Sequence, residues 1–161
     1  TFSQPLHAKI NESWHVSEVL EEQPEFAPLM RDFGNINTVL ADQFPDDRLA
    51  VAFFRRDFNF SRYSYERFYE PTPTKEEILA MWWDDTQKLM TQLDTRDNLS
   101  YYIPYWRAFN DSHCTMVGIS WDGTEIQEAD VDLGDYIDHV LDDDEPLQSW
   151  LESEQPDEDQ P

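Results

Sequence analysis

The chain has 161 residues, of which 35 are acidic and 11 are basic, so its formal net charge is −24. This charge excludes binding of nucleic-acid phosphates by bulk electrostatic attraction, and it disfavours a basic face held on an anionic membrane. No run approaches 18 apolar residues, no secretory signal is visible, and the single cysteine, Cys114, suits a reducing compartment. These features predict a cytoplasmic protein; a signal removed before Thr1 is left open.

Aromatic residues make up 14% of the chain, far more than a disordered acidic chain usually carries. Burial of large rings can offset the entropy lost on ordering. We therefore expect one folded domain over residues 1–151. Residues 152–161 contain no apolar side chain, which predicts a disordered acidic tail.

The first half of the chain predicts two helical and two extended segments. Phe2–Glu22 favours a helix only in its second half, and Ala27–Phe44 carries apolar residues on one broad face, as a helix does. Leu49–Phe60 and Arg62–Tyr69 alternate and are rich in β-formers, so both predict strands. The first of these strands begins apolar on both faces, which indicates a central position in a sheet.

A longer helix follows. Thr74 with Glu77 three residues later forms a capping-box pattern, and apolar residues recur at helical spacing to about Leu93. Tyr101–Phe109 and Cys114–Trp121 then predict a hairpin, whose first strand lies at an edge or carries a bulge because it contains a proline.

The last third predicts a further strand at Thr124–Ala129, a short helix at Asp135–Leu141 and a final amphipathic turn at Leu147–Leu151. Together the elements predict an α+β fold. A mixed or antiparallel sheet of about five strands is expected to be packed by two main helices, Ala27–Phe44 and Thr74–Leu93.

Patterns of catalytic or cofactor chemistry are weak. His113 and Cys114 are adjacent, but no local motif makes them a catalytic pair. The run from Asp130 to Asp135 places glycine at the fifth position, whereas a calcium-binding EF-hand loop needs it at the sixth. Paired carboxylates fit a solvated surface, and four glycines provide no phosphate-binding loop. The sequence predicts no cofactor and no metal site.

The charge is unevenly distributed. Residues 1–107 carry 18 acids and 11 bases, a net charge of −7, whereas residues 108–161 carry 17 acids and no lysine or arginine. A third of the chain therefore holds about 70% of the net charge. Such asymmetry indicates an interaction surface or an acidic tail.

One basic cluster opposes this trend: five arginines lie within 20 residues and alternate with aromatic residues. In a neutral protein this pattern would suggest binding of single-stranded nucleic acid. We expect them instead to lie on a sheet face and pair with nearby carboxylates; contact with a partner is the alternative. The five are Arg48, Arg55, Arg56, Arg62 and Arg67.

The segregated charge predicts a non-catalytic inhibitor that mimics nucleic-acid charge and blocks a basic, nucleic-acid-binding protein, such as a nuclease, restriction enzyme or transcription factor. From Trp121 to Pro161 there are 16 acids in 41 residues. If that segment were helical, one charge would fall about every 3.8 Å, near the ~3.4 Å phosphate spacing of one DNA strand. No direct contact with nucleic acid or membrane is expected. The predicted partner-binding acids are Asp122, Glu125, Glu128, Asp130, Asp132, Asp135, Asp138, Asp142, Asp143, Asp144 and Glu145.

Three alternatives remain open. An immunity-type or antitoxin-type inhibitor of one basic toxin would need exposed aromatic anchors, for which Tyr102, Tyr105 and Trp106 are the candidates. A small enzyme could assemble its site from residues distant in sequence. A halophile-type acidic protein would carry its acids over the whole surface, which fits the uneven charge poorly.

Overall fold

The computed structural model describes residues 1–107, 112–113 and 123–154. Within these residues there are six α-helices and three β-strands. The helices are α1 (Gln4–Trp14), α2 (Val16–Glu21), α3 (Ile36–Gln43), α4 (Phe58–Tyr65), α5 (Lys75–Leu93) and α6 (Leu133–Leu141). The strands are β1 (Leu49–Ala52), β2 (Leu99–Ile103) and β3 (Trp150–Leu151). Two 3-10 segments, Pro24–Met30 and Phe33–Asn35, precede α3.

The three strands form one parallel sheet in the order β1-β2-β3. Leu49 pairs with Leu99 at the start of β1, and Tyr102 pairs with Trp150 where β3 joins. Because parallel neighbours need long crossovers, α4 and α5 connect β1 to β2, and α6 lies between β2 and β3.

Helices cover both faces of this sheet. On one face, Leu49 and Leu99 pack with Ala41 of α3 and Leu93 of α5. On the other face, Tyr102 packs with α6 and with Trp150. A parallel sheet is normally buried on both sides in this way. The central strand, β2, is correspondingly buried at four of its five residues.

Two of the predicted helices, Thr74–Leu93 and Asp135–Leu141, are confirmed. Thr74 and Glu77 form the predicted capping box of α5, each side chain bonding the other's backbone N–H, and the helix ends at Leu93. Near the C-terminus, α6 begins at Leu133, two residues before the predicted start at Asp135, and ends at Leu141. The mixed helix and strand content is also as expected.

The predicted sheet is wrong in strand number and direction. It has three parallel strands among the described residues, rather than about five mixed or antiparallel ones, and β1 lies at an edge instead of the centre. Thr124–Ala129 forms no strand; Ile126 makes only an isolated antiparallel bridge to Val131. The segment Leu147–Leu151 was predicted as an amphipathic turn, but its last two residues, Trp150 and Leu151, form strand β3. Half of the predicted hairpin, Cys114–Trp121, lies outside the described residues.

Helix α4, Phe58–Tyr65, takes the end of the predicted strand Leu49–Phe60 and the first half of the predicted strand Arg62–Tyr69. Asp57 caps α4 by accepting a hydrogen bond from the Phe60 N–H at 2.9 Å. Ser61, Ser64 and Tyr65 are then buried on the same side of the helix. Packing of that side outweighs the strand preference of the aromatic residues, which depends on context. The predicted Ala27–Phe44 helix is likewise shorter, since 3-10 turns replace its first half.

Candidate functional site

The predicted partner-binding acids from Glu125 to Glu145 lie on and around helix α6. Asp132 caps the helix by accepting from the Asp135 N–H at 2.9 Å, and the Asp135 carboxylate accepts from the Asp132 N–H at 3.0 Å. This reciprocal capping fixes the start of the helix. Leu133 and Tyr136 are buried in the core, so the opposite side of the helix faces water.

Carboxylates occupy that outer side. Asp135, Asp138 and Asp142 recur at intervals of three and four residues, and residues at this spacing share a helical face. They fall about 5 Å apart along the axis, at ~1.5 Å per residue. The estimate of about 3.8 Å assumed that the whole segment is helical, whereas α6 covers only nine residues. The charges are thus less dense than phosphates on a DNA strand.

Most predicted partner-binding acids are exposed. Those outside α6 lie in the loop before it and the turn after it. The exposed ones are Glu125, Glu128, Asp130, Asp135, Asp138, Asp142, Asp143, Asp144 and Glu145, whereas Asp132 is half-buried. Asp122 lies outside the described residues.

No ion pair joins any acid between Glu125 and Glu145 to a basic side chain in the part of the chain that the structure describes. Arg48 reaches the end of α6, but its guanidinium donates to the backbone carbonyls of His139 at 3.0 Å and Glu145 at 2.8 Å. Among the described residues, the neighbouring carboxylates therefore have no cation paired with them.

The position of these acids disfavours stability. Asp142, Asp143, Asp144 and Glu145 follow directly after the C-terminus of α6, where the helix dipole is negative. An acid at that end costs about 0.3–1 kcal/mol when exposed. A local arrangement that lowers stability is typical of a surface retained for function.

The arginine cluster makes internal contacts, but not on a sheet face. Arg55 lies over the Trp83 ring at 3.7 Å and pairs with the Glu154 carboxylate at 3.1 Å. Arg62 pairs with Glu66 along α4 at 2.9 Å. Arg56 lies near the Tyr105 ring and Arg67 near the Tyr63 ring. The fifth, Arg48, donates to the backbone carbonyls of His139 and Glu145. Within the described residues, only Arg55 and Arg62 of the cluster pair with carboxylates, and Arg62 and Arg67 are exposed.

The aromatic candidates for partner binding lie mostly inside the molecule. Tyr102 is 0% exposed and donates its hydroxyl hydrogen to the Thr124 and Val131 carbonyls. Burial raises its pKa, as it raises the pKa of Tyr136 to about 12. Tyr105 is 2% exposed, and Trp106 is half-buried. Neither tyrosine is available as an anchor, because both are in the interior.

A buried ion pair closes the C-terminal end of the sheet. Arg107 and Glu152 approach at 2.8 Å, and the Glu152 carboxylate also accepts from the Tyr105 N–H at 2.6 Å. Glu152 is 3% exposed. The predicted disordered tail began at this residue, but the structure holds Glu152 inside the domain. Residues 155–161 lie outside the described part of the chain.

A second buried carboxylate, Asp57, was not singled out from sequence. It is 1% exposed and lies 2.9 Å from Nδ1 of His113, while it also caps α4. A carboxylate in this position orients an imidazole for proton transfer. The pair would be catalytic only beside a nucleophile or a substrate, and Cys114, the neighbour of His113, is not described.

A third buried carboxylate, Asp85 of α5, ties the N-terminal residues to the helix. It accepts hydrogen bonds from the Tyr65 hydroxyl, the Phe2 N–H at 2.6 Å and the Lys88 ammonium at 3.2 Å. Burial alone would raise the pKa of Asp85, but these hydrogen bonds outweigh burial and hold the pKa below its usual value. Burial and the hydrogen bond to Asp85 raise the pKa of Tyr65.

Beside Asp85 lies a cavity of about 470 Å³ that sequence reasoning missed. Its walls come from the end of β1, from α4 and α5, and from the N-terminal residues. These segments are far apart in sequence, so no local pattern could have brought them together.

Comparison of the chain with known protein families, curated proteins and solved structures found no match. Among the described helices, none has both the length and the apolar character that a bilayer crossing requires. Within the same described ranges, no group of three or more His, Cys, Asp or Glu side chains is placed to hold a metal ion.

Proposed function

We propose that this protein is an acidic inhibitor that occupies the nucleic-acid-binding site of a basic protein. The observation that carries the proposal is the set of exposed carboxylates on and after α6, none of which forms an ion pair within the described residues. Their charge attracts a basic groove over a distance of about 8 Å at physiological salt and increases the association rate. Their chemistry resembles that of the phosphates such a groove binds.

The rigid support of α6 favours this role over that of a purely solubilising segment. Leu133 and Tyr136 anchor the helix in the core, and the capping box fixes its start. The two exposed carboxylates of α6 itself, Asp135 and Asp138, are therefore held in place before binding, which lowers the entropy lost on association. With about 5 Å between charges along α6, the surface competes through its overall field rather than by matching each phosphate.

The immunity-type alternative loses most of the anchors predicted for it, although other aromatic side chains, among them Trp14 and Tyr63, are exposed. Tyr102 and Tyr105 are buried, which leaves half-buried Trp106 as the remaining anchor of the three. An inhibitor that acts through charge needs no such anchor.

Affinity capture tests the proposal. The protein is immobilised, exposed to an extract of its source cells at 50 mM and 500 mM NaCl, and the bound proteins are identified by mass spectrometry. We expect basic nucleic-acid-binding proteins at low salt, released by high salt or by added duplex DNA. The recovered partner is then bound to a labelled duplex, which the protein should displace. Recovery of acidic or metabolic proteins alone, or of none, rejects the proposal.

Two variants of equal charge separate a local surface from bulk acidity. The first neutralises four acids at α6: Asp138→Asn, Asp143→Asn, Asp144→Asn and Glu145→Gln. The control neutralises four exposed acids elsewhere that form no ion pair in the described part of the chain: Glu21→Gln, Glu22→Gln, Glu25→Gln and Asp46→Asn. We expect the first variant to weaken duplex displacement at least 10-fold and the control to weaken it less than 3-fold. Equal losses would mean that net charge alone is responsible.

A further inference from the structure

A cleft of about 290 Å³ opens beside α5, where the chain leaves β1 and β2. Arg55 lines it, and the Arg55 N–H donates to the Pro104 carbonyl at 2.8 Å. Arg56 comes next, and its N–H donates to the Tyr105 carbonyl at 3.1 Å. These two bonds continue the pairing of β1 with β2 beyond its end. Both arginines therefore lie at the carboxyl edge of the sheet, where α/β proteins commonly bind ligands.

The guanidinium of Arg55 is held in place by aromatic rings. Its Cζ lies 3.7 Å from the centroid of the Trp83 ring and 5.1 Å from that of the Tyr105 ring. The Arg55 side chain is only 13% exposed. An arginine that is already fixed in this way loses little entropy when its donors bind an anion.

A carboxylate already occupies part of this cleft. Oε2 of Glu154 lies 3.1 Å from Nη2 of Arg55, and both residues line the cleft. The Glu154 side chain is 69% exposed, so a carboxylate in contact with solvent reaches this guanidinium. An ion pair with an exposed partner is weak and changes an equilibrium constant by no more than about 5-fold. A second carboxylate can therefore displace Glu154 from Arg55.

The other lining residues restrict what the second carboxylate belongs to. Arg56 adds a second cation, which forms no ion pair among the described residues. The exposed Glu76 at the same cleft opposes an anion of higher charge, such as a phosphate. Leu79 and the half-buried Trp83 provide an apolar wall. A guanidinium fork matches the plane of one carboxylate, and the wall suits an apolar group attached to it.

We infer that this cleft binds a small organic acid, in which one carboxylate is attached to an apolar ring, with Arg55 as its main contact and Glu154 as a tethered competitor. The net charge of −24 does not prevent this, because physiological salt screens charges beyond about 8 Å. The cleft is separate from the acidic surface on α6, so the inference stands or fails independently of the proposed inhibitory function.

The test uses para-fluorobenzoate, whose binding to the full chain is followed by fluorine NMR. We expect a dissociation constant on the order of 1 mM, as suits a ligand of this size. The neutral analogue para-fluorobenzamide has nearly the same shape but no charge. It should bind at least about 5-fold more weakly, because the charge-assisted hydrogen bonds to Arg55 are lost.

Removal of the competitor should strengthen binding. Glu154→Gln keeps the size of the side chain but removes its charge, and we expect para-fluorobenzoate to bind about 2- to 5-fold more tightly. The matched control is Glu25→Gln, which removes the same charge from an exposed residue outside the cleft. It should change the affinity less than about 1.5-fold, because salt screens distant charges.

Two further measurements locate the site. Arg55→Gln should weaken binding at least about 5-fold, whereas Arg62→Gln, at an exposed arginine of α4 outside the cleft, should not. Protein NMR needs no variant. On titration with para-fluorobenzoate, the Trp83 indole N–H and the Leu79 methyl signals should shift, and those of Leu89, in the cavity beside Asp85, should not.

An acidic side chain of another protein carries the same carboxylate, so a blocked peptide, acetyl-Ala-Glu-Ala-amide, is titrated in parallel. It has no ring to pack against Trp83 and should bind at least about 5-fold more weakly than para-fluorobenzoate. Equal binding would assign the cleft to acidic polypeptide and overturn the assignment to a small aromatic acid.

Other results would also overturn the inference. They are the absence of para-fluorobenzoate binding to the full chain, equal affinity for the benzamide, no gain in Glu154→Gln over Glu25→Gln, or NMR shifts that map to Leu89. Circular dichroism verifies that each variant is folded. If Arg55→Gln fails to fold, the Glu154 variant, the benzamide and the NMR shifts decide the question.

Discussion

The guanidinium of Arg107 and the carboxylate of Glu152 meet at two points, at 2.8 Å and 3.0 Å, although 45 residues separate them in the chain. Both side chains are largely buried, at 17% and 4% exposure. The same carboxylate accepts the Tyr105 N–H, and the Glu152 N–H donates to the Ile103 carbonyl at 3.0 Å. This contact fastens the chain after β3 to the end of β2.

Shortening the chain tests this contact. A protein that ends after Leu151 should lose about 3–5 kcal/mol of unfolding free energy relative to one that ends after Glu154, because Arg107 is left buried without its counter-ion. Urea denaturation of the two truncated proteins measures the difference. Glu152→Gln in the full chain should reproduce most of the loss. Equal stability of the two truncations would mean that the pair is not formed.

Two substitutions of Asp132 separate its role as the N-cap of α6 from the effect of its negative charge on stability. Asp132→Ala should lower the free energy of unfolding by about 1 kcal/mol, whereas Asp132→Ser should stay within a few tenths, because serine also caps well. Both variants remove the same negative charge. Any difference in unfolding free energy between them, measured by urea denaturation, is therefore due to the cap. Equal losses of unfolding free energy in the two variants would argue against the capping box.

Tyr102 should act on stability and not on partner binding. Tyr102→Phe removes the donor to the buried Thr124 and Val131 carbonyls, so we expect a loss of about 1–3 kcal/mol. The control is Tyr63→Phe, at a side chain 66% exposed, which should change stability by no more than about 0.5 kcal/mol. Thermal denaturation compares them. Weaker partner binding by folded Tyr102→Phe would support the immunity-type alternative.

His7 should make stability depend on pH near neutrality. Burial lowers the pKa of His7 below its usual value, although the Thr1 carbonyl and the Asp32 carboxylate raise it. Because the folded state favours the neutral ring, its contribution is fully present above the unfolded pKa of about 6.5 and is lost as pH falls towards the folded pKa. Between pH 7.5 and 5.5 the protein should lose stability relative to His7→Gln. Urea denaturation at several pH values measures the unfolding free energy of both proteins. The same pH dependence in both would contradict the prediction.

Salt should stabilise the protein over a limited range. The net charge of −24 means that carboxylates across the surface repel one another. The Debye screening length falls from about 30 Å at 0.01 M salt to about 8 Å at 0.15 M, so added salt weakens this repulsion. We expect Tm to rise across this range and then level off, as measured by calorimetry. A proportional gain that continues into the molar range would support the halophile-type alternative.

Local patterns were sufficient for α5 and α6. The apolar spacing of both helices and the capping box of α5 lie within one or two helical turns, so neighbouring residues determine them. The Asp132 cap of α6 was not predicted, and the predicted helix began two residues late. The parallel sheet could not be predicted in this way. β3 has only two residues, and its pairing with Tyr102 and Ile103 depends on contacts across some 48 residues of chain. Residues 58–65 similarly become helical because α5 covers one side of them.

The amino-acid sequence by itself determined that negative charge is concentrated after Arg107, because composition and order need no fold. Only the tertiary structure decided which carboxylates remain available. Glu152 forms an ion pair with Arg107. Arg48 reaches the end of α6, but it donates to backbone carbonyls and not to the neighbouring carboxylates. The physical reason is that an ion pair requires two side chains within about 4 Å, and the path of the backbone sets that distance.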